Sequence, residues 1–230
     1  MNTLKGSLYI FFQSYKKQNI VFWIILLSIV LFLIFIDATF GENVKLFLSV
    51  SIPVYIFFSI MSSKLLNKTM PYFLKLGLSR NQYALHVGLF FIAWSFIGAL
   101  FIACIHKGIL FSNTFTLHDI IIFHPVYFFD PSLPFFLTFA FDFAILLFSL
   151  ASGLLINVVF YRLGTVGGYT FIGGLIFIPI LAVIFNWYQP LFDLLNNVTF
   201  IVLCTSLFFI SLLLYGIIAV VLQKASAIPA

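Results

Sequence analysis

At 230 residues, 63% of them hydrophobic and only 7% charged, the chain has a mean hydropathy of +1.22. Soluble domains carry about 25% charged residues, so a soluble globular protein is excluded and an all-α integral membrane protein is expected. The net charge of +5 is not a nucleic-acid signal, because the basic residues follow the loops between apolar runs, and no nucleic-acid partner is expected. Cys104 and Cys204 lie inside apolar segments and imply neither a disulfide framework nor a metal centre. The first apolar run is too long for a cleavable signal peptide and lacks a small-residue cleavage site.

Residues 4–17 open the chain as an amphipathic segment. Leu4, Leu8, Phe11, Phe12 and Tyr15 recur at helical spacing while Lys5, Gln13, Lys16 and Lys17 lie off that stripe, as in a helix lying in the membrane interface. An ordinary basic flank of the first span reads almost as well. Six spans of near-bilayer length then follow, at about residues 20–36, 44–61, 83–105, 134–157, 165–185 and 198–222. Asp37, Glu42 and Lys45 fall between the first two, and Pro53 is expected to kink the second. Residues 106–133, with His106, His118, His124, Asp119 and Asp130, form the longest less apolar stretch, expected to lie against the bilayer or pack on the protein. Arg162 marks the turn between the fourth and fifth spans. Residues 186–197 are too short and polar to cross, and read as an interfacial hairpin.

The connection at 62–82 is the most basic stretch, with Lys64, Lys68, Lys75 and Arg80 and no acidic residue. Pro71 is placed to open a helical turn and Gly77 to close it. Ser79 and Gln82 have capping-box spacing at the start of the next helix. With both termini in the cytoplasm, nine of the eleven Lys and Arg residues lie inside, and only Lys45 and Lys107 lie outside. The inverted topology would reverse that split, against the positive-inside rule.

No zinc-protease motif, paired membrane carboxylates or phosphate loop is present, so the chain is not expected to be an enzyme or to bind ATP itself. The spacing of the external histidines matches no metal motif. Asp142 stands out, because an ionisable group inside a span is costly and tends to face a cavity or a partner. Thr138, Asp142, Ser149, Ser152 and Gly153 share one helical stripe, which suits either a polar pathway or a packing seam. The glycines of the fifth span read as packing positions.

Taken together, an interfacial helix, six spans, a basic connection after the second and a hairpin before the sixth resemble the permease subunits of type-2 ABC exporters. The most specific local likeness is YFLKLGLSRNQYALHVG at residues 72–88: a short apolar stretch, Ser-Arg, a polar pair, then an aromatic entering the third span. The long segment between the third and fourth spans departs from the family. The resemblance implies that residues 70–80 form a coupling helix seated on a separate ATPase, with Tyr72, Phe73 and Leu76 as an apolar patch and Lys75 and Arg80 around it. It further implies ATP and Mg on that ATPase subunit, and a second permease chain, identical or a sister. Membrane lipid, multi-pass insertion in a bacterial plasma membrane and an amphipathic substrate (a peptide, a lipid-linked molecule or a hydrophobic drug) complete the expectation. Two other classes stand beside it: a non-transporting immunity or sensor protein, and a proton-coupled secondary transporter relaying through Asp142.

Overall fold

The computed structural model describes residues 3–40, 47–113, 120–128, 134–190, 193 and 198–223, and its described residues are predominantly α-helical. In chain order they form α1 (Thr3–Phe40), β1 (Phe47–Leu48), α2 (Ser51–Ser62), α3 (Leu65–Lys75), α4 (Arg80–Asn113), β2 (Ile121–Ile122), a 3-10 turn (Pro125–Phe128), α5 (Phe135–Ile184) and α6 (Phe200–Gln223). The chain divides into two compact units, Met1–Phe57 with Phe90–Leu146 and Phe58–Leu89 with Leu147–Ala230. Glu42, Lys45, His118, Asp119, Asp130, Lys224 and most of residues 191–197 lie outside the described residues.

Among the described residues four helical stretches are long and apolar enough to cross a membrane: Thr3–Thr39, Arg80–Asn113, Phe135–Ile184 and Phe200–Gln223. The third is two helices meeting at Gly164, where φ is 69° and ψ is −171°. An L side chain rarely adopts that backbone, and glycine does so without steric cost. The Phe160 and Tyr169 rings lie 5.5 Å apart, whereas nine residues of straight helix would separate them by roughly 13 Å. The chain therefore turns back sharply at Gly164. Gly167 and Gly168 fit the turn because a Cβ there would meet Leu163 and Phe160 at 2.3 and 2.2 Å.

In the first unit, α1 packs along α4 through aromatic rings. Phe11 meets Phe90 at 5.3 Å, Phe12 meets Trp94 at 5.5 Å and Trp23 meets Phe101 at 4.9 Å. The contacts advance together along both helices, so the two run in the same direction. Phe96 against Phe139 (5.4 Å) and Lys107 over Phe135 (5.5 Å) show α5 running opposite to α4. α1 is one helix of 38 residues, so the interfacial segment and first span expected separately are continuous. The cause is visible in its packing: Phe11 and Tyr15 are buried, which holds the opening turns against protein. Asp37, expected in the following turn, is a buried residue of that same helix.

The second expected span is also redrawn. Residues 47–48 are a strand paired in parallel with 121–122, Phe47 opposite Ile121 and Leu48 opposite Ile122. The Phe123 amide extends the pairing to the Leu48 carbonyl at 2.8 Å. Helix begins only at Ser51, which places Pro53 in the first turn of α2 rather than at a kink. Proline is tolerated there because first-turn amides have no intrahelical acceptor. The third span continues past residue 105 to Asn113, so His106 and Lys107 are helical residues of α4 rather than part of a loop.

In the second unit, Gly153 of α5 lies directly on the end of α2. A Cβ at Gly153 would stand 2.1 Å from the Ser59 carbonyl oxygen and 2.2 Å from Ser62 Oγ. One turn on, the Asn157 amide donates to the Ser63 carbonyl. Small residues permit this close approach, and the side-chain amide fixes its register. The Tyr215 hydroxyl of α6 donates to the Ala84 carbonyl, with its ring over Gly88.

Candidate functional site

Helix α3 is the most amphipathic of the helices. Leu65, Leu66, Thr69, Met70 and Phe73 form its buried face. It begins at Leu65, six residues ahead of Pro71, which sits inside the helix rather than opening it. The lost proline amide leaves the Asn67 carbonyl without its intrahelical donor, and Asn67 is on the exposed side, where an outside donor can replace it.

Two local motifs follow directly. Gly77 has φ +83°; its amide bonds the Leu74 carbonyl at 3.0 Å and the Leu78 amide bonds the Phe73 carbonyl at 3.1 Å. This paired arrangement is a Schellman closure. Then Ser79 Oγ accepts from the Gln82 amide at 3.2 Å, and Gln82 Oε1 accepts from the Ser79 amide at 3.1 Å. That is a complete capping box opening α4. The Thr69 and Tyr83 hydroxyls share a hydrogen bond at 2.7 Å, with the Phe73 ring 5.8 Å from that of Tyr83.

This packing corrects the expected apolar patch. Phe73 is 1% exposed, held against Tyr83, whereas Tyr72 and Leu76 are 50% and 56% exposed. Phe73 stands one position, or roughly 100° of helix, from Tyr72, enough to put the two on opposite sides of the buried boundary. Lys64, Lys68 and Lys75 are exposed with them. Arg80 has an intramolecular partner: its Nη1 donates to the Gln223 carbonyl at 3.1 Å, a cation on the last turn of α6, where orphan carbonyls attract positive charge. The exposed face of α3 is thus Tyr72 and Leu76 among lysines.

In the first unit, Asp142 is fully buried. Its Oδ1 accepts from the Tyr55 hydroxyl and from His124 Nε2, the latter at 3.0 Å. His124 Nδ1 accepts the Val126 amide at 3.1 Å. That bond requires an unprotonated Nδ1, so the proton of the neutral ring sits on Nε2, facing the carboxylate. The His106 ring meets that of His124 edge-on at 4.9 Å, and the Tyr127 ring lies 5.6 Å from that of His124. Burial, then the Asp142 charge, push the Tyr127 phenol above its usual range, keeping it a donor.

The remaining predicted positions separate along α5. Thr138 lines a cavity with His106 and Lys107. Ser149 is nearly buried, its carbonyl accepting from Ser152, and Gly153 and Asn157 pack on α2 as described. The stripe therefore divides, with a polar cluster at Asp142 and a packing seam further on. Tyr55 and His124 as partners of Asp142, and Val126 as partner of His124, carry no local sequence signal. Among the described residues no group of three or more His, Cys, Asp and Glu is arranged to hold a metal ion.

Fold and composition define an all-α protein whose long helices have membrane-spanning length and apolarity. No family model, curated protein or solved structure matches the chain.

Proposed function

We propose that the chain is the membrane-spanning half of an ATP-driven exporter, with α3 as the element that docks on a separate ATPase. The carrying observation is the exposed face of α3, where Tyr72 and Leu76 stand among Lys64, Lys68 and Lys75 on a helix joined to α4 by two closed caps. Exposed aromatics dominate protein contacts, and surrounding cations steer toward an acidic groove. ATP and Mg belong to the partner subunit, whose closure would press on α3 and tilt α4. Two permease chains, identical or sister, would enclose the path of an amphipathic substrate in a bacterial plasma membrane.

Six spans with both termini cytoplasmic agree with the charge split and with the parallel α1–α4 and antiparallel α4–α5 pairs. The twelve-residue α2 provides roughly 18 Å of helix. The extended pair Phe47–Leu48 adds roughly 7 Å, together about 25 Å of the ~30 Å apolar core.

The test is co-purification with an ABC ATPase expressed alongside. The double variant Tyr72→Ala, Leu76→Ala should insert normally yet lose the ATPase or uncouple hydrolysis from export, at about 1–3 kcal/mol per anchor. A fully coupled complex from that variant would refute the docking role. The buried Tyr55–Asp142–His124 cluster favours one second reading, a proton-coupled transporter. Transport driven by a pH gradient without ATP, and lost in Asp142→Asn, would select it.

A further inference from the structure

His106 belongs to a second, open feature of the first unit. With Lys107, Tyr127 and Thr138 it lines a cavity of about 90 Å³. The space holds several water-sized groups and is open on one side, enough for a small polar head such as a carboxylate or a phosphate. The apolar side of the lining includes Leu110 and Phe139, which suits hydrocarbon rather than a wholly hydrophilic solute.

The polar lining has one sign and spare capacity. Among the described residues no acidic side chain lines the cavity. Lys107 is exposed and lies 5.5 Å over the Phe135 ring, and among the described residues its ammonium has no carboxylate partner. His106 is 6% exposed, and among the described residues its buried Nε2 has no hydrogen-bond partner. Among the described residues the Thr138 hydroxyl makes one long bond, 3.5 Å, to the Pro134 carbonyl. A buried polar nitrogen left unpaired is destabilising, and a ligand that supplies its partner recovers that loss on binding.

We propose that this cavity binds the anionic head of an amphiphile, a carboxylate or a phosphate monoester. Lys107 neutralises its charge, Thr138, Tyr127 and His106 hydrogen-bond its oxygens, and Leu110 and Phe139 pack against the first carbons of its tail. This binding does not depend on whether the chain exports anything.

The experiment measures retention of radiolabelled dodecyl phosphate by the full-length chain purified in a neutral maltoside detergent. Saturable retention near one equivalent per chain is expected, not competed by dodecanol. Lys107→Gln should weaken it about tenfold, the scale of one lost charge-assisted hydrogen bond. Thr138→Val should weaken it severalfold, and unchanged melting temperatures would show that both variants remain folded. Competition by inorganic phosphate distinguishes the sources. Displacement at millimolar concentration identifies a site that takes free phosphate, and failure to displace identifies one that needs the tail of a membrane lipid. Non-saturable uptake matching that of dodecanol, or wild-type affinity in a folded Lys107→Gln variant, would overturn the proposal.

Discussion

Replacing Gly153 by alanine adds one methyl group where the structure leaves no room for it. The new Cβ would lie 2.1 Å from the Ser59 carbonyl oxygen, 2.9 Å from its carbon and 2.2 Å from Ser62 Oγ. The Ser62 hydroxyl can rotate away, giving up its 2.9 Å bond to the Ser59 carbonyl. The Ser59 carbonyl cannot, being backbone and already bonded to the Ser63 amide at 3.0 Å. α2 and α5 must therefore part by about 1 Å at this point, and overpacking of this kind costs about 1–3 kcal/mol. The separation also strains the Asn157 bond to the Ser63 carbonyl, and such interhelical bonds contribute about 0.6–1.7 kcal/mol in membranes. Together, about 2–4 kcal/mol should be lost, lowering the melting temperature by roughly 5–15 °C for a chain of this size. Melting in detergent, in a Cys104→Ser background that removes the exposed thiol, is followed by a thiol-reactive dye that reports exposure of the buried Cys204. Gly173→Ala is the control, because nothing lies within 4 Å of a Cβ there; it should be neutral or slightly stabilising, since alanine is the better helix former. Equal melting of Gly153→Ala and the parent would show that α2 and α5 do not pack this closely.

The joint between α3 and α4 should lose about 1 kcal/mol in Ser79→Ala, from the broken capping box, and a similar amount in Gly77→Ala, from a side chain forced to positive φ; the same melts read both. Asp142→Ala should cost about 2–5 kcal/mol, because it leaves the Tyr55 hydroxyl and the His124 N–H buried with no acceptor. Asp142→Asn keeps an acceptor oxygen and should cost visibly less, so identical melts for the two would contradict the network. With Cys104 and Cys204 replaced by serine, a cysteine introduced by Ser63→Cys or Ser79→Cys should react with an impermeant reagent only from the cytoplasmic side; labelling from outside would overturn the proposed topology.

Features set by neighbouring residues were legible from the chain alone. The Gly77 closure and the Ser79–Gln82 box are written within a few positions of each other, and their chemistry does not depend on distant packing. The reversal near Arg162 was legible for the same reason, with its pivot two residues on at Gly164. What the sequence hid is long-range. Hydropathy is uniform through residues 47–61, so nothing local says that 47–48 pair with a strand more than seventy residues away. Nor does the pattern show which side of α3 faces inward: Tyr72 and Phe73 look equivalent until Tyr83 takes one of them. Asp142 was conspicuous because a carboxylate in an apolar helix needs a partner, but Tyr55 is 87 residues distant and His124 sat in a stretch that read as interfacial.

The connection from α3 to α4 has a mechanical consequence. Between Lys75 and Arg80 lie four residues, and hydrogen bonds close both ends of this short joint. The Thr69–Tyr83 bond braces it from the side, and the Arg80 contact with Gln223 ties it to the end of α6. Such a joint has little compliance. A torque on the exposed face of α3 would be delivered to the root of α4 and the end of α6 together, with little angle lost on the way. Lengthening the joint by two or three flexible residues would turn a lever into a tether: α3 could still hold whatever it grips, while the helices behind it would no longer answer.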